Sequence, residues 1–214
     1  MNITIIGTGN MARGIATRAL AGGHSVMLVG HETGKAEGLA NDLQGTAQEG
    51  ASVQAAPPDT PIASPVIVLA VPYPAAIPIV QQYSDELAGK IIVDITNPID
   101  FSTMSPVVAG GTSGAEEIAE VAPAGARVVK AFNTTFAGTL VAGQVAGQPL
   151  DVFIAGDDAE AKAAVSHLVE AGGMRPIDAG PLQRARQLEA LGLLHITLQF
   201  TLNTGFSSAI KILA

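Results

Sequence analysis

The sequence contains no cysteine, and its 214 residues include only 11 lysines and arginines against 19 aspartates and glutamates. Without cysteine the chain cannot form a disulfide, a thiolate metal site or a cysteine nucleophile. The formal net charge of −8 argues against a nucleic-acid partner, because a phosphate backbone is bound by clustered basic residues and those of this chain are scattered. The four histidines are scattered as well and show no metal-ligand spacing. We therefore expect neither nucleic acid nor metal.

Long uninterrupted hydrophobic runs are also missing. The most apolar late segment, 191–206, contains His195, Gln199 and Asn203 and is too polar to span a bilayer. The first apolar strand begins at Ile3, which leaves no room for a signal peptide. These features predict a cytoplasmic protein with no membrane partner.

The strongest positive signal lies in the first dozen residues. An apolar strand, 3–6, leads into a glycine-rich loop and an amphipathic helix, and the loop consists of Gly7, Thr8, Gly9, Asn10, Met11 and Ala12. Gly7 permits a tight turn, Gly9 lets the backbone approach a pyrophosphate, and Ala12 lets helix and strand pack closely. The N–H groups that begin the helix then face the phosphates. The pattern predicts dinucleotide binding, and a plain glycine turn is the alternative.

Apolar strands and helices alternate along the rest of the chain, as in a parallel sheet with right-handed crossovers. Further strands are predicted at 26–29, 66–71, 91–95, 127–132, 151–155 and 174–179. One helix is marked by apolar positions within 36–43, Asp158 is placed to cap another, and the chain from about Gln183 is predicted to be helical. The fold class is therefore α/β, a doubly wound Rossmann-type sheet with a short helical C-terminal portion. A soft boundary separates a dinucleotide-binding domain, 1–147, from a smaller portion, 148–214.

Several motifs resemble the coenzyme F420-dependent NADP oxidoreductase family along the whole chain. They are Thr8–Met11, Val71-Pro72, Asn97-Pro98, Val128–Thr134, Gly156–Asp158, Arg175–Leu182, Ala185-Arg186 and Leu188-Glu189. The string from Arg175 to Leu182 is the most diagnostic, since glycine loops occur in many dehydrogenases. The resemblance implies an oxidoreductase in which a nicotinamide cofactor lies across the sheet and the deazaflavin stacks on the nicotinamide for direct hydride transfer.

Cofactor choice is predicted from the end of the second strand, where an acidic residue would bind the ribose of NAD. The sequence has Gly30 and His31 there, so NADP is favoured, with His31, Thr33 and Lys35 as donors to its 2′-phosphate. The family usually has a serine and an arginine at the positions of Gly30 and His31, and Glu32 would repel a phosphate unless it turns outward. A solvated loop is the alternative for His31.

Polar residues and proline breaks follow the other strands, where open α/β sheets bind ligands. We expect Asn97, Asn133 and Thr134 to hold a carboxamide or a ribose beside the breaks at Val71 and Pro72, with turn formation or helix capping as the alternative. The complete predicted cofactor site is Gly7, Thr8, Gly9, Asn10, Met11, Ala12, Gly30, His31, Thr33, Lys35, Val71, Pro72, Asn97, Asn133 and Thr134. No catalytic side chain is predicted, because hydride transfer needs mainly ring alignment.

Two other function classes remain open at this point. A dinucleotide-binding redox sensor would need no turnover, and the sequence has no obligatory acid or base. An NADPH-dependent reductase of a flavin, or of a small carbonyl or imine, is the other, and the last of these would need a proton donor, for which Tyr73, Lys130 and His195 are the candidates.

The C-terminal helix carries an apolar stripe formed by Leu191, Leu194, Leu198 and Leu202. We expect the polar residues beside it, His195, Gln199 and Asn203, to form a solvated face, with a wall toward a pocket or partner as the alternative. The leucines and nearby phenylalanines exceed what one helix can bury on its own sheet, which predicts a homodimer. Upstream, the segment 180–182 is either a frame for the substrate pocket or a plain turn.

Overall fold

A computed structural model describes residues 1–213, and Ala214, the last residue of the predicted C-terminal portion, lies outside them. The strands are β1 (Asn2–Ile6), β2 (Ser25–Val29), β3 (Val53–Ala56), β4 (Val66–Leu69), β5 (Ile91–Asp94), β6 (Ile99–Asp100), β7 (Ser105–Pro106), β8 (Arg127–Lys130), β9 (Gln144–Val145), β10 (Gln148–Pro149), β11 (Asp151–Gly156) and β12 (Arg175–Gly180). The α-helices are α1 (Asn10–Ala21), α2 (Thr33–Leu43), α3 (Tyr73–Gln82), α4 (Ser84–Leu87), α5 (Gly114–Val121), α6 (Ala137–Ala142), α7 (Ala159–Ala171) and α8 (Ala185–Leu202).

Eight strands form one sheet in the order β12-β11-β8-β5-β4-β1-β2-β3. Strands β4 and β5 are buried along their whole length, as their continuous apolar sequences predict. Helices α1, α2 and α7 pack on one face of the sheet, and α3 and α5 pack on the other. The predicted doubly wound Rossmann-type fold is confirmed.

One junction in the sheet departs from the predicted parallel arrangement. Strand β11 runs antiparallel to β8, with Ala155 opposite Lys130 and Gly156 opposite Val129. Between these strands the chain forms only the six-residue α6 and the β9–β10 hairpin, so it enters β11 from the edge at which β8 ends instead of crossing the sheet. Strand β12 then pairs parallel to β11 after α7, which Asp158 caps by accepting a hydrogen bond from the Ala161 N–H. The segment 148–213 thus extends the sheet of the first 147 residues.

The C-terminal segment is not helical throughout, contrary to the sequence prediction. Helix α8 ends at Leu202 because Asn203 adopts a left-handed conformation, with φ of 52°. The chain then returns to the start of β11, where the buried Asp151 carboxylate accepts hydrogen bonds from the Ile212 N–H at 2.8 Å and the Lys211 Nζ at 2.9 Å. This returning segment, 204–213, is called the tail below.

The burial of α8 differs in part from the sequence prediction. His195 and Gln199 are 4% and 2% exposed, so the expected solvated face is wrong for both, although Asn203 is exposed. The tail covers this polar face, and its Ser208 hydroxyl lies 2.9 Å from His195 Nε2 and 2.8 Å from Gln199 Nε2. The exposed large apolar side chains of α8 are instead Leu194, Leu198 and Leu202, which share one stripe, and Phe200 on another side of the helix. No helix within residues 1–213 is long and apolar enough to cross a membrane.

The tail should detach in acid. Burial alone would raise the pKa of Asp151, but hydrogen bonds from Arg175, the Ile212 N–H and Lys211 lower this pKa to about 2. Because the folded pKa lies below that of an unfolded aspartate, the stabilisation is complete above about pH 4 and is lost as the pH falls toward 2. The protection of the Ile212 amide, measured as its hydrogen-exchange rate relative to the intrinsic rate at each pH, should therefore fall over this interval. In Asp151→Asn exchange should be fast at pH 7 already, and slow exchange in that variant would contradict the assignment.

Candidate functional site

The glycine loop after β1 has the two properties that dinucleotide binding requires. Gly7 has φ of +124°, and a Cβ atom there would lie 2.1 Å from the Ala70 carbonyl oxygen, so only glycine fits. Gly9 precedes α1 in extended conformation, and a Cβ atom there would meet nothing within 4 Å. The first turn of α1 has no side-chain cap, so its N–H groups are available to an anion. The open space at Gly9 therefore fits a pyrophosphate held by backbone N–H groups.

Two cavities meet at this loop along the carboxyl ends of the strands. The first, called the His31 cavity, measures about 500 Å³, and its wall includes Gly7, Thr8, Gly9, Gly30, His31, Pro58, Val71, Pro72, Ile79 and Tyr83. The second, called the Asn97 cavity, measures about 450 Å³, and its wall includes Gly9, Asn10, Met11, Val71, Pro72, Tyr73, Ile95, Thr96, Asn97, Ile99, Phe101, Val107 and Ile196. Because Gly9, Ala70, Val71 and Pro72 belong to both walls, the two cavities form one cleft across the loop.

Most residues of the sequence-predicted site line this cleft, and the others lie behind it or beside it. Ala12 is fully buried beneath the loop. Thr33 and Lys35 begin α2 and are absent from the wall of the His31 cavity. The Lys35 ammonium lies 2.6 Å from the Glu32 carboxylate, and both side chains are well exposed. The closest predicted phosphate donor to the cavity is therefore His31.

Asn97 and Asn133 form a reciprocal pair at the edge of the Asn97 cavity. The Asn97 side-chain amide donates to the Asn133 carbonyl oxygen at 2.8 Å, and Asn133 Nδ2 donates to Asn97 Oδ1 at 2.9 Å. Only Asn97 belongs to the cavity wall. Asn133 is 5% exposed and its Oδ1 has no hydrogen-bond partner, while the Thr134 carbonyl oxygen lies 3.0 Å from His195 Nδ1. The pair joins the ends of β5 and β8 directly under the cleft.

Tyr73 lines the Asn97 cavity, and its hydroxyl is already hydrogen-bonded within the protein. The hydroxyl donates to the Glu117 carboxylate. Burial, with this carboxylate as a further cause, raises the pKa of Tyr73 above its ordinary value. The ring lies against α5, since a Cβ atom at Gly114 would be 2.9 Å from Tyr73 Cε2. Tyr73 therefore offers the cavity a ring surface and holds its proton tightly.

The other two candidate proton donors, Lys130 and His195, are absent from both cavity walls. Lys130 is fully buried and hydrogen-bonded to Asp94, Thr96 and Glu189. Burial lowers the pKa of His195, which favours the neutral ring, and both its nitrogens have partners. No cluster of three or more histidine, aspartate or glutamate side chains suited to a metal occurs in the described part of the chain.

Several cleft residues were missed by sequence reasoning. Phe101 and Val107 lie on the short β6–β7 hairpin, where pairs of extended residues give no readable period, and Ile196 comes from α8. The signal available in the sequence was an aromatic residue, Phe101, between two prolines, Pro98 and Pro106. The structure leaves the Phe101 side chain 68% exposed. The segment 180–182, offered as a possible frame for the pocket, instead forms the turn from β12 into a 3₁₀ helix at Leu182–Arg184, with the Leu182 N–H bonded to Asp157.

Comparison with known proteins supports the assignment of this cleft to a dinucleotide. The family described as NADP oxidoreductase, coenzyme F420-dependent, matches residues 2–98. The chain is 31% identical to the F420-dependent NADP reductase of Methanothermobacter thermautotrophicus over 209 residues, which cover 92% of this chain and 89% of that protein. The chain also aligns with the crystal structure of a candidate F420-dependent NADP reductase from Arthrobacter sp. FB24, at 32% identity and a TM-score of 0.81. This alignment covers 100% of each chain.

A third relative is the metalloreductase STEAP3 of Rattus norvegicus, which is 35% identical over 192 residues. The alignment covers 89% of this chain but only 36% of that longer protein. The full-length match to the archaeal reductase and the dinucleotide cleft point the same way. This chain belongs to the family of coenzyme F420-dependent NADP oxidoreductases, and it is an NADP-dependent oxidoreductase.

Proposed function

We propose that this protein transfers hydride directly between NADP(H) and the deazaflavin coenzyme F420. The observation that carries the proposal is the single cleft that crosses the glycine loop, with a polar pair at its floor and apolar walls in the Asn97 cavity. NADPH supplies the hydride, and the protein need only hold two planar rings in contact. The names of the archaeal reductases that match this chain along nearly its whole length support the choice of acceptor.

Each part of the cleft has a distinct role in the proposal. The backbone from Gly9 to Met11 binds the pyrophosphate through the N–H groups that begin α1. Asn97, fixed by Asn133, orients the carboxamide or ribose. Thr134 supports Asn133 from the next position, with its carbonyl oxygen held 3.0 Å from His195 Nδ1. Val71, Pro72 and the other apolar side chains exclude water around the reacting rings.

The His31 cavity takes the adenosine end and its 2′-phosphate. Its wall contains no acidic residue, so nothing there would bind the two ribose hydroxyls of NAD in preference. His31 lies on the wall, and Lys35 reaches a phosphate only by leaving Glu32.

Replacing His31 and Lys35 together by alanine should weaken NADPH binding by about 2–4 kcal/mol, because two charge-assisted contacts are lost. NADH binding should stay nearly unchanged. Glu32→Gln is the matched control: it frees Lys35 from its partner and should tighten NADPH binding. Calorimetry on both cofactors measures these changes, and an equal loss for NADH would refute the phosphate assignment.

Tyr73→Phe should reduce the rate of F420 reduction by less than about tenfold, because the hydroxyl positions a ring and moves no proton. Rapid mixing with NADPH and F420 measures the rate. A loss beyond roughly a thousandfold would identify Tyr73 as a general acid and favour a carbonyl or imine substrate.

The direct test of the proposed function is an acceptor panel. The purified protein is mixed with NADPH and, separately, with F420, a flavin, a quinone and a small carbonyl compound, while nicotinamide absorbance is followed. We expect fast oxidation with F420. Tight NADPH binding without turnover on any acceptor would favour a redox sensor, and turnover on the carbonyl alone would favour reduction of such substrates.

We also propose separate roles for the two portions of the chain, and a homodimeric assembly. Residues 1–147 hold the dinucleotide, and the portion from 148 onward supplies the acceptor side through α8, which contributes Ile196 to the Asn97 cavity. The exposed leucines of α8 pair two copies of the chain as a homodimer. We propose that the partner of this protein is a small-molecule redox acceptor in the cytoplasm. The net charge of −8 supports the proposal that it does not bind nucleic acid.

A further inference from the structure

Three buried ionisable side chains lie directly below the Asn97 cavity, and the proposed hydride transfer uses none of them. The Lys130 ammonium is 2.7 Å from the Asp94 carboxylate and 2.8 Å from the Glu189 carboxylate. It also donates to the Thr96 carbonyl oxygen at 2.5 Å, so its three hydrogens are all engaged. We call these three side chains the Lys130 cluster. Buried ion clusters are costly to desolvate and are seldom the most stabilising choice, so this one calls for a reason other than stability.

The cluster joins four separate elements of the fold. Asp94 and Lys130 end the neighbouring strands β5 and β8 and face each other in register. Glu189 belongs to α8, and its carboxylate also accepts from the Gly114 N–H at 3.0 Å and the Ala115 N–H at 3.3 Å, which begin α5. One ammonium group therefore fixes the position of α8 relative to the strand ends and, through Glu189, relative to α5.

Helix α8 touches the cleft on the same face that carries Glu189. Gly192 and Ile196 follow Glu189 at spacings of three and seven residues, which place all three on one side of a helix. A Cβ atom at Gly192 would lie 2.6 Å from Asn97 Oδ1, and Ile196 lines the Asn97 cavity. The backbone of α8 at Gly192 therefore contacts the Asn97 side chain directly, and a shift of α8 would also move Asn97.

The cluster also fixes the opposite wall of the cavity. Lys130 holds the Thr96 carbonyl oxygen, while Asp94 Oδ1 accepts from the Thr96 N–H at 2.8 Å. Thr96 and Asn97 both line the Asn97 cavity. The ammonium group thus sets the separation between the β5 end and α8, the two surfaces that bound the space for the reacting rings.

We propose that Lys130 and Glu189 are positioning residues for hydride transfer, which hold α8 against the end of β5 at the spacing that stacks the acceptor on the nicotinamide. The inference rests on the proposed function. Neither residue touches the reacting atoms, since both are absent from the walls of the cleft. Glu189 instead lines a neighbouring cavity of about 380 Å³, which shares Ile99 with the Asn97 cavity. Their effect is on geometry, and an error of about 1 Å in ring placement is enough to cost roughly a hundredfold in rate.

Glu189→Gln is the most informative variant. With all three groups ionised the cluster carries one excess negative charge, and the substitution leaves Lys130 balanced by Asp94, so the protein should fold. Glutamine has one acceptor oxygen for the three donors that Glu189 now serves, so α8 loses part of its attachment. A second variant, Lys130→Met with Asp94→Asn and Glu189→Gln, makes the cluster neutral, leaves no buried charge without a partner and keeps an acceptor for the Thr96 N–H.

We expect both variants to lose less than about tenfold in NADPH affinity, because the glycine loop still holds the pyrophosphate, while kcat for F420 reduction at saturating NADPH falls by about 10- to 100-fold. The deuterium isotope effect on kcat with 4-deuterated NADPH should rise, since misaligned rings make the chemical step slow. Lys162→Met is the matched control. It breaks the ion pair with Asp178, 2.9 Å long and on the edge strand, and should leave kcat and the isotope effect unchanged.

An unchanged kcat and isotope effect in folded Glu189→Gln, with an active wild-type protein, would overturn this proposal and leave the proposed function intact. A loss that appears only as weaker NADPH binding would overturn it too. If the wild-type protein bound NADPH but turned over no acceptor, both proposals would fall together.

Discussion

Replacing Gly9 by valine should lower the affinity for NADPH by about 100-fold or more and leave the thermal unfolding temperature unchanged. The backbone at Gly9 is extended, with φ of −80° and ψ of −175°, a conformation that valine adopts readily. The added side chain would meet no protein atom within 4 Å of its Cβ. It would instead occupy the space left for the pyrophosphate. Calorimetric titration with NADPH, together with a thermal melt, measures both quantities.

The matched control lies two residues earlier. Gly7→Ala places a Cβ atom 2.1 Å from a backbone oxygen at a φ that alanine rarely adopts, so this variant should lose stability first. The two substitutions therefore separate binding from folding within one loop. Unchanged NADPH affinity in a folded Gly9→Val protein would mean that the dinucleotide binds elsewhere.

The second large effect concerns the exposed face of α8. Leu194 and Leu198 are 54% and 37% exposed, and Leu202 continues the same apolar stripe at four-residue spacing. Changing Leu194 and Leu198 together to glutamate should convert a homodimer to a monomer, because four buried carboxylates would have to lose water at the interface. Light scattering at micromolar concentration measures the mass.

Val141→Glu is a suitable control for this experiment, since Val141 is similarly exposed, at 42%, but lies on α6. This variant should keep the mass of the wild-type protein. A wild-type chain that is monomeric under the same conditions would refute the interface, and a double glutamate variant that remains dimeric would place the interface on another surface.

What the sequence predicted correctly was encoded over short distances. The glycine loop, the strand ends at Val71-Pro72 and Asn97, and the Asp158 cap each depend on residues within a few positions of one another. Buried parallel strands are equally readable, because β4 and β5 are apolar at every position but the last of β5. The doubly wound fold follows from the alternation of these elements.

What the sequence did not predict depends on contacts between distant segments. The burial of His195 and Gln199 is produced by Ser208, which returns on the tail after the helix has ended. A helical pattern alone cannot show that another segment will cover its polar side. The antiparallel entry of β11 likewise depends on where the β9–β10 hairpin directs the chain.

The Lys130 cluster shows the same limit at the site itself. Asp94, Lys130 and Glu189 are separated by 36 and 59 residues along the chain, and each resembles an ordinary charged residue in its own segment. Only the pairing of β5 with β8 and the packing of α8 bring them together. Sequence reasoning placed Lys130 among possible proton donors, and the structure instead engages all its hydrogens within the protein.

The transfer of a labelled hydrogen tests the central claim most directly. NADPH carrying deuterium on one face of C4 is incubated with the protein and unlabelled F420 in ordinary water, and the reduced F420 is examined for the label. We expect one face of the nicotinamide to deliver its deuterium completely to the deazaflavin and the other to deliver none, because stacked rings in a cleft transfer hydride without exchange with water. Loss of the label to solvent, or equal transfer from both faces, would contradict direct hydride transfer in this cleft.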